Sequence, residues 1–352
     1  MSNEYDFYRN KKVLVTGHTG FKGTWLCKLL NIHGAEIVGY ALPPDEGESI
    51  YNLSGIDKHI KSIYGDIRDF DKLKSIFIDE RPEIVFHLAA QPLVRESYIN
   101  PLETYETNVM GTVNVLECIR RTDSVKSFVN VTTDKVYLNR EDACPHGEDD
   151  VLNGHDPYSN SKSCSELATY AYKNSFFESS SISISTARAG NVIGGGDFAQ
   201  DRILVDCFRA AQKREKILVR NPYSIRPYQH VLEAVVAYLM IAKAQFDDKK
   251  ISGCYNIGPN EQDCISTETL VKIFCDEWQD GTEWINCSTD GPYEAKFLKL
   301  DCSKMRQVFK WKPKWNVNYA VKKTVELYKC SSNNEVFSRC MNQQIREYMK
   351  ED

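Results

Sequence analysis

No apolar run in this 352-residue chain reaches the roughly 18 residues that a membrane-crossing helix requires. The opening stretch, MSNEYDFYRNKK, is polar and lacks the apolar core of a secretory leader, so the expected location is cytoplasmic. Positive charge is not in excess. Lys and Arg number 44 against 49 Asp and Glu, a formal net charge of −5, which removes the electrostatic argument for a nucleic-acid partner. An anionic small molecule would then have to be met by a local group of arginines. There is no internal repeat and no low-complexity tract, so neither a solenoid nor a compositionally biased linker is expected. The 12 cysteines include no C-x-x-C pair and are spread almost evenly. Metal sites usually bring their ligands in close pairs. The expectation is therefore no metal, and free thiols in a reducing compartment.

What is present is a core and a rhythm. Hydrophobic residues make up 42% of the chain, enough for a packed interior. Short apolar strands are expected at Lys12–Thr16, Glu36–Tyr40, Ile60–Tyr64, Glu83–Leu88, Ser127–Val131 and Ile182–Ala187. Helical patterns separate them: Thr24–His33, ended by Gly34; Asp69–Asp79; a long one over Pro101–Arg121; and one from Tyr158 to Ser175. Residues 42–58 read as loop. Strands alternating with helices specify a parallel, doubly wound α/β sheet of the Rossmann type. After Gly190 the rhythm breaks. A second apolar helix covers Val231–Ala244, and Cys254–Ile257 reads as a strand returning to the sheet. The expected division is a dinucleotide-binding domain over 1–188 with 229–257 returning to it, and a smaller mixed α/β substrate-binding domain over 189–228 and 258–352.

Gly17-x-x-Gly20-x-x-Gly23 lies between the first strand and the first helix, the context in which such glycines bind a dinucleotide pyrophosphate at a helix N-terminus. The second strand ends Gly39-Tyr40-Ala41-Leu42, with no acid before Asp45 and no basic residue between Gly39 and Tyr51. A 2′-phosphate needs a nearby cation, so NAD is expected rather than NADP. Asp66 follows the third strand, where it could accept from the adenine amino group or simply cap a turn.

Tyr158-Ser-Asn-Ser-Lys162 places phenol and ammonium on one helix face. A lysine charge beside a phenol favours the phenolate, and so is expected to lower the tyrosine pKa and make it a proton acceptor. Upstream, Thr133-Asp134-Lys135 adds an acid and a possible base, a set suited to oxidising one sugar hydroxyl and eliminating a neighbouring one.

With these motifs in place the chain, from residue 11 to about 320, resembles the extended short-chain dehydrogenase/reductase family. Within that family it resembles the nucleotide-sugar 4,6-dehydratases, which carry an Asp followed by Glu or Lys where Asp134 and Lys135 stand. Five separated segments carry the likeness: Gly17–Gly23, Ala89–Arg95, Thr133–Lys135, Ala187–Asp197 and Arg226–His230. Together they favour a CDP-linked glucose, and Lys135 in place of glutamate stands against the dTDP type. Phe198 and Tyr228 occupy positions where tryptophan is expected, and Thr133 replaces a common serine. The resemblance implies that Thr133 orients the sugar O4, Tyr158 takes its proton, Lys135 removes the C5 proton, Asp134 protonates the departing C6 hydroxyl and Lys162 binds the nicotinamide ribose. A purely electrostatic role for Lys135 is the alternative. It implies cofactor contacts at Gly17, Thr19, Gly20, Phe21, Lys22, Gly23, Asp66, Ile67, Leu88, Ala89, Ala90, Asn108, Tyr158 and Lys162. Substrate contacts are implied at Gln91, Val94, Arg95, Asn191, Arg202, Arg220, Arg226 and His230. A homodimer or homotetramer is expected, because the helices over 101–121 and 158–175 pair between subunits in similar enzymes. The competing readings are a 4,6-dehydratase of dTDP-glucose or GDP-mannose, and a dinucleotide-binding protein without chemistry.

Overall fold

The computed structural model describes residues 4–139, 144–287 and 297–350. Its centre is a seven-stranded sheet with every strand pair parallel. The strands are β1 (Lys12–Thr16), β2 (Glu36–Ala41), β3 (Lys61–Tyr64), β4 (Ile84–His87), β5 (Ser127–Val131), β6 (Ser183–Ala189) and, out of chain sequence, β10 (Cys254–Ile257). Their spatial order is β10-β6-β5-β4-β1-β2-β3. β4, β5 and β6 are buried along their whole length, as strands covered on both faces must be. This is the expected α/β, Rossmann-type fold. The order reverses between β1 and β4, and in such sheets the crevice at that point, beyond the strand carboxyl ends, receives ligands.

Helices α1 (Phe21–Ile32), α3 (Phe70–Glu80), α6 (Gly111–Arg120), α7 (Pro157–Tyr172) and α9 (Val231–Asp247) cover the two faces. α9 is apolar nearly all round and almost wholly buried, which is why it reads so clearly in the sequence. Two expectations need correction. Residues 42–58 are not all loop, because α2 (Ile50–Ser54) and a 3₁₀ turn (Ile56–His59) form there; Ile50, Tyr51 and Ile56 are pulled into the core, so tertiary burial overrides the turn-rich composition. The long helix over Pro101–Arg121 is three pieces: α5 (Pro101–Tyr105), a π-helical turn (Glu106–Met110) and α6. A short helix, α4 (Val94–Ile99), precedes it. Such π turns insert a residue into the helical ladder, and hydrophobic period alone does not reveal them.

The remaining elements are strands β7 (Asn191–Ile193), β8 (Ile217–Val219), β9 (Ile225–His230), β11 (Cys264–Ser266) and β12 (Trp284–Asn286), and helices α8 (Ile203–Lys213), α10 (Thr267–Trp278), α11 (Ser303–Phe309), α12 (Val317–Lys329) and α13 (Asn334–Met349). β11-β9-β7 form a three-stranded sheet and β12-β8 a two-stranded one. A separate apolar cluster, including Phe208, Phe274, Val321 and Tyr328, holds α8, α10 and α12 together. This layer stands over the carboxyl ends of β5 and β6. Among the described residues no helix is long and apolar enough to cross a membrane.

Candidate active site

The turn between β1 and α1 is shaped by close approach. Gly17 adopts φ +75°, and a Cβ there would lie 2.7 Å from the Ala89 backbone nitrogen. A Cβ on Gly23 would lie 2.1 Å from the Gly17 carbonyl oxygen. Any side chain at either position would push α1 off the turn. Gly20 is the N-cap of α1 and offers no side-chain cap, so the first N–H groups of the helix stay available to an anion. Thr19 donates to the Leu42 carbonyl at 3.0 Å, and Phe21 packs beside Gly194. Thr16 binds the segment after β4: the Leu88 and Ala89 N–H groups donate to its hydroxyl at 3.2 and 3.3 Å. Asn108 is buried in the π turn, where it accepts from the Gln91 N–H at 2.8 Å and donates to the Ser161 hydroxyl at 2.9 Å. Asp66 is engaged by its neighbour Arg68 at 2.6 Å; Ile67 is buried against Gly111. These candidate cofactor residues therefore gather at the carboxyl edge of the sheet, around the point where strand order reverses.

Asp134 follows β5 and is fully buried. Its Oδ1 accepts from the Thr133 hydroxyl at 3.0 Å and from the Lys135 ammonium at 3.4 Å. Its Oδ2 is buried with no hydrogen-bond partner among the described residues. Asp156 caps α7 by accepting from the Ser159 N–H at 2.9 Å, which places Tyr158 and Lys162 on the first two turns. Both are buried. Burial pushes the Tyr158 phenol up to about 12, against the opposing pull of the Arg202 charge and a hydrogen bond with Thr133. The sequence-based expectation that Lys162 lowers this pKa is thus not met. Desolvation outweighs it, and the same burial pushes Lys162 itself down to about 8. The Lys162 ammonium donates to the Val131 carbonyl at 3.3 Å.

Lys22, on the first turn of α1, joins this group. Burial, then the charges of Arg202 and Lys162, push it down to about 7, and Asp134 opposes the shift. Cofactor turn and catalytic candidates thus share one electrostatic cluster.

Glu166 was not anticipated. It lies one turn beyond Lys162, accepts from the Thr132 hydroxyl at 2.5 Å and pairs with Arg188 through both oxygens, at 3.0 and 2.9 Å. Both partners are about 2% exposed. The i, i+4 spacing from Lys162 was the available signal; nothing in the sequence paired it with Arg188. The pair ties β5, β6 and α7 together directly beneath the site. Glu166→Ala leaves the Arg188 charge buried and alone, and is expected to cost about 3–5 kcal/mol of stability, measured by urea unfolding. An unchanged unfolding midpoint and slope would show that the pair does not support the fold.

A cavity of about 270 Å³ opens beside these residues. Lys135, Tyr137 and Asn191 line it together with residues of α8 and β8. Val94, Arg95, Arg202, Arg220 and Arg226 also line it. Arg220 and Arg95 share Asp201, at 2.9 and 3.6 Å. The buried Asn191 Oδ1 has no hydrogen-bond partner among the described residues. Two candidate substrate residues are not brought to the cavity wall. His230 is fully buried between Trp25 and Trp315 and caps α9, its Nδ1 accepting from the Leu232 N–H at 3.3 Å. Gln91 turns back on its own loop, accepting from the Leu93 N–H at 2.5 Å and donating to Thr104 at 2.9 Å. Their motif position is real, but the packing of α9 and of the loop after β4 uses both side chains. Among the described residues no cluster of His, Cys, Asp or Glu could hold a metal ion.

Comparison with known proteins places this arrangement. The family model described as GDP-mannose 4,6 dehydratase matches residues 14–324. The CDP-glucose 4,6-dehydratase of Salmonella typhimurium is 42% identical over 350 residues, covering 98% of each chain. The human dTDP-D-glucose 4,6-dehydratase is 26% identical, over 92% of this chain and 91% of its own. Among solved structures, the dTDP-glucose 4,6-dehydratase of Bacillus anthracis in complex with NAD superposes with a TM-score of 0.75 at 20% identity, covering 94% of this chain and 99% of that one. The chain belongs to the GDP-mannose 4,6-dehydratase family, and through it to the extended short-chain dehydrogenase/reductases.

Proposed function

We propose that the protein is a CDP-glucose 4,6-dehydratase, a lyase that converts CDP-D-glucose to CDP-4-dehydro-6-deoxy-D-glucose and water. The observation that carries this reading is the contact of the buried Asp134 with Lys135, which lines the cavity, in a chain 42% identical to an enzyme of that name. The glycine turn, with its two positions closed to any Cβ and its uncapped helix start, fits the pyrophosphate of NAD. When bound, NAD supplies the acceptor of the C4 hydride and the donor that returns it to C6. Residues 1–188 with 229–257 hold the cofactor, and 189–228 with 258–352 hold the sugar nucleotide.

The side chains manage the protons. Thr133 hydrogen-bonds O4 and orients it toward Tyr158, which takes the O4 proton. Lys162 holds the nicotinamide ribose. The C4 ketone makes the C5 proton acidic, and Lys135 removes it. Asp134 gives a proton to the C6 hydroxyl, which leaves as water; the partnerless Oδ2 is the atom available to carry that proton, and Lys135 gives its proton back to C5 as C6 is reduced. Arg202 and Arg226 meet the diphosphate, and Asn191 a phosphate or hydroxyl oxygen by its amide N–H group.

The test is to incubate the enzyme with catalytic NAD and, in turn, CDP-glucose, UDP-glucose, dTDP-glucose or GDP-mannose, and to read 4-keto product by its absorbance in base. CDP-glucose is expected to be used at least tenfold more efficiently than dTDP-glucose, a gap of about 1.4 kcal/mol, with no accumulation of NADH. Equal efficiencies would remove the cytidine assignment and leave the dehydratase. Stoichiometric NADH without 6-deoxy product would replace a dehydratase by a simple dehydrogenase.

The protein acts in the cytoplasm as a dimer. Ile99, Leu102 and Met110 on the α4–α6 segments, and Leu167 and Tyr170 on α7, are half or more exposed, a patch of the kind that covers itself by symmetric pairing. Tyr170→Asp together with Leu102→Asp is expected to give a monomer in sedimentation velocity. A wild-type protein that already sediments as a monomer would end this assignment.

A further inference from the structure

We propose that Asp206 reads the 4-amino group of the cytosine ring and so selects CDP-linked over UDP- and dTDP-linked sugars. This inference deepens the reading above and rests on it. It starts from the carboxylates that line the cavity: Asp156, Asp197, Asp201 and Asp206. Three are already used by the protein. Asp156 caps α7 and accepts from the Ser159 hydroxyl at 2.6 Å. Asp197 accepts from the Ala199 N–H at 3.2 Å. Asp201 bridges Arg220 and Arg95. The Asp206 carboxylate makes no hydrogen bond or ion pair with any described residue, yet it is half-buried on the cavity wall. Arg220, Arg209 and Arg95 act on it only through space, together with the like charge of Asp201, and burial raises its pKa. A partly desolvated carboxylate without a donor is costly to keep. It becomes favourable when a ligand brings an N–H group to it.

Its place along the cleft identifies that group. Arg202 is the N-cap of α8, and its charge reaches Tyr158. Asp206 lies four residues further on, one turn along α8 and on the same face, so it looks into the cavity away from the chemistry. Leu204 and Val205, beside Asp206 on α8, and Leu218 and Val219, on β8, also line the cavity. A carboxylate among apolar side chains, with Arg220 within electrostatic reach, suits a flat, polar-edged ring. Cytosine presents an amino donor at C4, whereas uracil and thymine present a carbonyl oxygen whose lone pairs would face the carboxylate. A site built to accept from a substrate N–H rejects an analogue that lacks it far more strongly than an apolar pocket rejects a change of size.

The experiment compares wild type, Asp206→Asn and Asp206→Ala. It measures kcat and KM for CDP-glucose, UDP-glucose and dTDP-glucose, and calorimetric binding of CDP and UDP to the NAD-loaded protein. An amide can turn either its oxygen or its NH₂ to the ring. Asp206→Asn is therefore expected to shrink the CDP-over-UDP preference by about tenfold or more, with the change in KM and in nucleotide binding. Asp206→Ala is expected to weaken CDP and to relieve the repulsion of UDP, so the preference shrinks in this variant too. If wild type prefers CDP and both variants keep its preference, Asp206 is not the reader while the CDP-glucose reading stands. If both variants lower kcat equally for all three sugars at unchanged KM, the residue is structural and the proposal fails. A wild type without preference overturns the CDP-glucose reading itself.

Discussion

Replacing Tyr158 by phenylalanine is expected to lower kcat for CDP-glucose by roughly a hundred- to ten-thousandfold, the range typical of a positioned acid–base group. The loss comes from one oxygen. Phenylalanine keeps the ring that is packed against the Thr133 and Arg202 surroundings, so nucleotide binding should change little. The site predicts a pH signature as well. With the phenol pushed up to about 12, only a small fraction is ionised near neutrality, and that fraction grows as pH rises. Lys162, pushed down to about 8 by burial, loses its positive charge over the same range. The rate should therefore climb with pH below about 8 and level off once Lys162 is discharged. The variant should lose the rising limb together with the rate. Near-full turnover in Tyr158→Phe, or an unchanged pH profile, would move the proton acceptor to another group.

Lys135→Ala should separate the steps of the reaction. In the proposed mechanism oxidation at C4 uses Tyr158 and Lys162, whereas elimination uses removal of the C5 proton. A single turnover of this variant with bound NAD is expected to show the absorbance of the reduced nicotinamide while 6-deoxy product fails to form. Exchange of the C5 proton into deuterated solvent should slow in parallel. A lysine that only positions groups would instead depress oxidation and elimination together. The contact with Asp134 at 3.4 Å makes a third outcome informative. If Lys135→Ala yields 6-deoxy product at close to the wild-type rate, the base lies elsewhere, and a water held by Asp134 is the next candidate.

The local chemistry of the site was legible in the sequence because it is written at short range. A glycine triplet between a strand and a helix, a Tyr and a Lys four residues apart, and an Asp followed directly by a Lys are adjacent in the chain, and helix and turn geometry bring them together wherever the segments end up. The parallel sheet was legible for the same reason: each βα unit declares itself by its own period. Even the return of Cys254–Ile257 to the sheet could be read from its place as a short strand after the apolar helix over Val231–Ala244.

Tertiary structure decided what depends on burial and on distant partners. Spacing alone predicted a Tyr158 pKa lowered by Lys162. The fold buries both, and desolvation reverses the direction. His230 and Gln91 stand in motif positions, yet the packing of Trp25 and Trp315 around one and the loop bonds of the other turn both away from the cavity. Glu166 and Arg188 are 22 residues apart, with no local pattern to join them, and only the pairing of β5 with β6 under α7 makes them a buried ion pair. Asp206 reads in the sequence as one more charge on an amphipathic helix. Only the assembled cavity shows that its carboxylate, unlike its neighbours', has no donor among the described residues. The sequence by itself determined the fold and which candidate groups lie side by side, because those rest on contacts within a few residues. Which groups are charged, which are already occupied and which are left for a ligand was decided by long-range packing, because solvent exclusion is a property of the folded whole.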